Sequence, residues 1–236
     1  MALVGWLFLP LTQPLALDPE CTADPRVRLV VAGQLFAIPR GYQPNVYAAI
    51  DDGYELLAWP ICQRPQDATI KTRMFSIHPG EQPGFVEDEL TRPLRAFQIE
   101  VHESQASYRS PREAYTDALN YLQQRGVQVE HLREVGGFRA YDSAPKARHL
   151  YLALPETLTS RDGAPLVIEC TAAVSGTSQL ASGRVCRTNA YQEIFEGVVF
   201  GYDFYDGTEP ISTWQIRHQQ IRSLIMNMRI GPEVQR

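Results

Sequence analysis

Short runs rich in Val, Ile, Leu, Phe and Tyr, broken by Gly and Pro, recur along the chain, whereas a helical period near 3.6 stands out in only two places. Residues 26–39, RVRLVVAGQLFAIP, read as two β-rich runs around Ala32-Gly33-Gln34, a hairpin that closes at Pro39. Further strands are predicted at 54–59, 72–77, 96–102, 127–132, 149–154, 166–171, 183–187 and 198–204. Many short strands separated by Gly/Pro turns predict a mainly antiparallel sheet.

The first helical stretch opens on Ser110-Pro111-Arg112-Glu113, with Ser at the N-cap, Pro at the first helical position and Glu at N3. This is a capping box, in which side chains satisfy amides that the first turn leaves unpaired. Tyr115, Ala118, Leu119 and Leu122 follow at helical spacing, and Gly126 supplies the stop. Near the C-terminus Ser212 and Gln215 repeat the capping logic. Trp214, Ile221, Leu224, Ile225 and Met228 then form one apolar stripe up to Gly231-Pro232. That stripe is assigned to the core rather than to a partner-binding face. The chain has no internal repeat and no low-complexity tract. The economical fold class is therefore α+β: a mainly antiparallel β-sheet with two principal helices in a single domain, 24–236, behind an N-terminal segment, 1–23.

Composition adds bounds rather than detail. A chain of 236 residues, 44% hydrophobic and 21% charged, lies in the globular range and hides roughly 70% of its unfolded surface on folding. The net charge is −5 and the basic residues are scattered, so the electrostatic footprint of a nucleic-acid surface is missing.

Residues 1–17, MALVGWLFLPLTQPLAL, carry no charged side chain and are broken by Pro10 and Pro14. Their length and prolines fit the apolar core of a signal peptide better than a membrane span, although a basic front end is missing. A buried N-terminal segment of a cytosolic domain is the alternative. Cleavage after Ala23 or after Ala16 is compatible with the sequence, and Asp18-Pro19-Glu20 before Cys21 argues against a lipid anchor. Export to the periplasm is the expectation, with membrane contact only through this leader.

Four cysteines, Cys21, Cys62, Cys170 and Cys186, include no C-x-x-C pair, against zinc ribbons and thioredoxin-like chemistry. In an oxidising compartment Cys170 and Cys186 are expected to pair, each in a strand-like run on either side of a polar Ser/Gly/Thr stretch. Their separation of 16 closes a loop worth on the order of 3 kcal/mol. Cys21 and Cys62 then pair by elimination if cleavage leaves Cys21 in place. Four reduced, buried thiols are the alternative.

Candidate chemistry is sparse. There is no G-x-S-x-G elbow, and Ser175-Gly176-Thr177-Ser178 reads as a solvent loop. Neither a P-loop nor G-x-G-x-x-G occurs, so no nucleotide or other cofactor is expected. His78, His102, His131, His149 and His218 are dispersed, without a metal-binding spacing. His102 and Glu103 are neighbours on a strand, point to opposite faces and read as surface polar residues. Asp203, Asp206 and Glu209 share one turn that a hard cation would suit, but they miss the EF-hand spacing, and Asp-Gly is a turn former in its own right. No metal site is assigned. Glu87-Asp88-Glu89 reads as a solvated face, and either acidic run would complement a basic partner.

From Pro165 onward the order is a strand carrying Cys170, a polar loop, Cys186, a strand ending in Gly-Tyr-Asp-Phe, then Trp214 with Ile221, Leu224 and Ile225 on the last helix. With Phe36-Ala37-Ile38-Pro39 and Tyr42, this order resembles a group of exported Gram-negative bacterial proteins of unassigned role. Some of these resemble periplasmic immunity proteins of type VI secretion effectors. The resemblance implies a periplasmic protein that binds and blocks a cognate toxin attacking the cell wall or membrane, with no catalytic residue of its own. Exposed segments 80–92 and 171–185 are the expected sources of partner anchors. An envelope structural or assembly protein is the second reading, and a hydrolase with a site built from dispersed residues is the third.

Overall fold

The computed structural model describes residues 26–39, 42, 44–50, 53–56, 69–77, 97–105, 108–143, 148–172, 184–206 and 214–232. The leader, Cys21, Cys62, His78, the acidic run at 87–89, the segment 80–92, Ser175 to Ser178, Glu209 and Ser212 lie outside them. The chain is a single-domain α+β protein built on a large, mostly antiparallel sheet, with two α-helices among the described residues.

The predicted first hairpin is β1 (Arg26–Val31) and β2 (Gln34–Pro39), paired Arg26 to Pro39 through Val31 to Gln34. Ala32 (φ 46°) and Gly33 (φ 72°) both turn left-handed, the geometry whose twist suits a two-residue hairpin. There follow β3 (Asn45–Ile50), β4 (Gly53–Leu56), β5 (Ile70–Ile77) and β6 (Phe97–Glu103). Helix α1 (Pro111–Gln124) leads to β7 (Arg133–Val135), β8 (Phe138–Ser143), β9 (Arg148–Ala153) and β10 (Val167–Ala172). The chain continues with β11 (Arg184–Thr188), β12 (Gln192–Phe195), β13 (Val198–Asp206), α2 (Trp214–Met228) and β14 (Arg229–Pro232). Hydrogen bonding runs in the order β14-β2-β1-β5-β6-β13-β11-β10-β9-β8-β7, with β12 added to β13 and the β3–β4 hairpin added to β5. The described pairings are antiparallel except for β1 with β5.

Both helices bury the apolar stripes that their sequences show, on opposite faces of the sheet. Ser110 caps α1, its hydroxyl accepting from the Glu113 amide while the Glu113 carboxylate takes the Ser110 amide, and Gly126 (φ 69°) ends it. Ala118 and Leu122 bury against Leu150, Leu152 and Val167, so α1 covers β9 and β10 from outside. The α2 stripe enters the main core: Trp214, Ile221, Ile225 and Met228 pack with Phe36, Ile38, Phe75, Val101, Phe138 and Phe200. One cluster thus draws on strands from β2 to β8, which requires the sheet to curve around α2. Leu224 is only half-buried at the rim of that cluster.

Two expectations are corrected. Residues 127–132 do not form a strand. Once Gly126 has reversed the chain, Val127, Val129 and Leu132 fold back against the α1 cluster through a 3-10 turn at Val129–His131. The last helix stops at Met228 rather than at Gly231-Pro232. Arg229–Pro232 instead pairs with the open edge of β2, where Arg229 Nε donates to Gln34 Oε1 at 2.8 Å and the guanidinium lies 4.5 Å from the Phe195 ring centre. Strands β3, β7, β8 and β12 lie beyond the predicted set because alanines or polar residues interrupt their apolar runs, and β14 does because a helix end becomes a strand only at an open sheet edge.

Candidate functional site

Strands β6 and β13 run side by side, pairing Glu100 with Gly201 and His102 with Val199. Alternation sends Ile99, Val101, Phe200 and Tyr202 to the core, and Gln98, Glu100, His102, Gly201 and Asp203 to the outer face. On that face α1 does not reach over, so the strands form the floor of an open groove. Its walls come from Tyr108 and Arg109 before α1 and from Asn189 to Tyr191 after β11.

A polar cluster is built at the centre of this floor. His102 Nδ1 lies 3.0 Å from Tyr108 Oη, and its Nε2 lies 3.4 Å from Glu100 Oε2. A carboxylate only accepts, so Nε2–H donates to Glu100, and Nδ1 shares a hydrogen bond with the Tyr108 hydroxyl. Tyr191 donates to the same Glu100 oxygen at 2.8 Å, and Gln98 Nε2 donates to Oε1 at 3.1 Å. The His102 hydrogen bond holds the Glu100 carboxyl below its usual pKa, against the upward pull of partial burial, and the Tyr191 bond adds to it. Burial, then the Glu100 carboxylate, push the Tyr191 phenol upward, so it stays a donor. The Tyr108 and Tyr191 rings lie 5.0 Å apart at 37°, and the Tyr191 ring packs 4.5 Å from His102. This packing depends on Gly201: a Cβ there would come within 2.8 Å of the Tyr191 ring.

An inner cavity of about 330 Å³ and an adjoining outer one of about 450 Å³ share Tyr108, Arg109 and Tyr191. Arg109 reaches Asp117 and, at 3.3 Å, Asn189 Oδ1; across the outer cavity Arg161 pairs with Glu193 at 2.9 Å. Beneath the groove, Cys170 and Cys186 face each other on β10 and β11 as a disulfide, with Cα atoms 4.0 Å apart and both side chains fully buried. The next residue on β11, Arg187, is exposed and faces the groove. The expected pair therefore exists and fixes the register that presents Arg187.

The structure corrects the reading of His102. It is 6% exposed rather than a surface residue, and its carboxylate partner is Glu100 two positions back, while Glu103 turns to Arg73 at 3.4 Å. The polar repeat Gln98, Glu100, His102 at a spacing of two was the signal available in the sequence. Nothing in the sequence brought Tyr108 and Tyr191 to it. Of the other histidines, His149 pairs with Asp142 at 2.5 Å, His131 is exposed, and His218 is buried in the core. Asp203 lines the inner cavity. Among the described residues no group of three or more His, Cys, Asp or Glu side chains is placed to hold a metal ion. None of their helices is long and apolar enough to cross a membrane.

No protein-family model, curated protein or solved structure matches the chain. Its class rests on fold and site: a disulfide-linked α+β protein with an open, tyrosine-walled groove on the outer face of its sheet.

Proposed function

We propose that the protein is an exported binding protein of the periplasm, and that its partner is a secreted antibacterial toxin which it neutralises by forming a tight complex. The observation that carries a binding role is the closure of the His102 cluster. The His102–Tyr108 and Glu100–Tyr191 hydrogen bonds fix the two tyrosine walls of the groove before a partner arrives. Tyrosine and arginine, the residues that dominate binding surfaces, border the groove. The disulfide suits an oxidising compartment. Toxin anchors come from the groove rim, together with the segments 80–92 and 171–185 that the sequence singles out.

Co-purification and calorimetry with the toxin encoded by a neighbouring gene test this reading. A neutralising complex binds at nanomolar strength or tighter, about −12 kcal/mol. If no neighbouring toxin binds, and deletion alters envelope integrity without changing sensitivity to sister cells, an envelope assembly role replaces it. The Tyr108–His102–Glu100 relay is the one feature that favours a hydrolase. Turnover of ester or peptide substrates that disappears in His102→Ala would move the assignment there.

A further inference from the structure

We propose that the groove is an oligosaccharide-binding site, with Tyr108 and Tyr191 as stacking walls and Arg187, Asn189 and Asp203 as hydroxyl-binding groups. The proposal goes beyond toxin neutralisation and does not depend on it.

The groove's composition selects among ligand classes. Its floor strands, β6, β13 and β11, are interior to the sheet and paired on both sides, so no free backbone edge is offered to an extended peptide. Along the described lining Val199 is the one large aliphatic side chain, which leaves little for an apolar helix or a lipid chain. Carboxylates line both cavities beside the arginines, which disfavours a polyanion such as nucleic acid. What remains is aromatic surface next to planar polar groups. A pyranose presents the matching chemistry: a C–H face that packs on an aromatic ring, and adjacent hydroxyls that a carboxylate, amide or guanidinium engages two at a time.

The geometry also argues for more than one sugar unit. Each cavity falls in the size range of small-ligand sites, roughly 300–1,000 Å³. The two meet at Tyr108 and Tyr191, so a linear chain laid across both rings fills both. The cluster below is already hydrogen-bonded, with Glu100 accepting from three side chains, so the walls are set before a ligand arrives.

Calorimetric and ring-proton NMR titrations of the full chain test this, with a β-1,4-linked N-acetylglucosamine tetramer and a glucose tetramer as probes. The expected result is saturable binding of at least one probe, with shifts at Tyr108 and Tyr191. Binding should weaken by about tenfold or more in Tyr108→Ala and in Arg187→Ala. Arg187 is exposed, so its variant keeps the test valid if Tyr108→Ala fails to fold. No saturation by either probe up to about 10 mM overturns the proposal, as does binding that both variants retain in full. Toxin binding is measured on the same samples. Sugar bound without toxin removes neutralisation and leaves the saccharide site, whereas toxin bound without sugar overturns the saccharide site alone.

Discussion

Strand β13 has a histidine–tyrosine cluster on each of its faces, and the two are wired differently. On the inner face Trp214 Nε1 donates to Tyr202 Oη at 2.7 Å, and that hydroxyl lies 3.1 Å from His218 Nδ1. With Trp214 donating to its oxygen, the Tyr202 hydroxyl donates a hydrogen bond to the unprotonated Nδ1 of the neutral ring, which carries its hydrogen on Nε2. No carboxylate takes part in these bonds, and Trp214, Tyr202 and His218 are all buried. Burial, with Arg222 adding repulsion, pulls the His218 pKa down to about 4, and burial pushes the Tyr202 phenol up. On the outer face the same residue types gather around an ionised Glu100 at the border of a groove. Burial keeps the histidine and tyrosine of the inner cluster neutral in a fixed core, with the buried Arg217 guanidinium acting on Tyr202. The carboxylate of the outer cluster lets polar groups be held in place where solvent and ligand reach them.

The largest expected effect comes from removing the inner anchor. Trp214 is fully buried, so Trp214→Ala should destabilise by about 3–5 kcal/mol in denaturant melts while the groove keeps its composition. A loss below about 1 kcal/mol would mean that α2 does not hold the curved sheet together.

Acid titration separates the two clusters. His218 has a folded pKa of about 4 against an ordinary value of 6.5, so between these pH values the unfolded chain binds the extra proton. Its contribution is present above pH 6.5 and is lost as pH falls towards 4, by about 3 kcal/mol in all. Glu100 has the usual carboxylate sign, its pKa being lowered from 4.5. Its contribution is present above that value and is lost only at lower pH. Unfolding free energies that stay flat from pH 7 to 4.5 would break the contrast.

The smallest effect sharpens the outer side. Gly201→Ala sets a methyl group against the Tyr191 ring and should cost about 1–3 kcal/mol. It should also move Tyr191 off Glu100, read as a change in the Tyr191 ring resonances with the Trp214 signal unmoved. Equal shifts at both rings would show that the two faces are coupled through β13.

Local signals carried much of the fold. The β1–β2 hairpin, the Ser110 capping box, the apolar stripe of α2 and the Cys170–Cys186 pairing were legible because each depends on residues close in sequence or on simple periodicity. β14 was not, because a helix end becomes a strand only where an open edge such as that of β2 is waiting. The outer site divides in the same way. Gln98, Glu100 and His102 share a face by alternation alone, so the sequence determined that a polar stripe would exist. Tyr108 and Tyr191 come from 6 and 89 residues further along than His102, and only tertiary folding decided that they would close over it. The reason is physical: alternation assigns side chains to faces, but which loops meet above a face depends on strand order and on the gap α1 leaves uncovered.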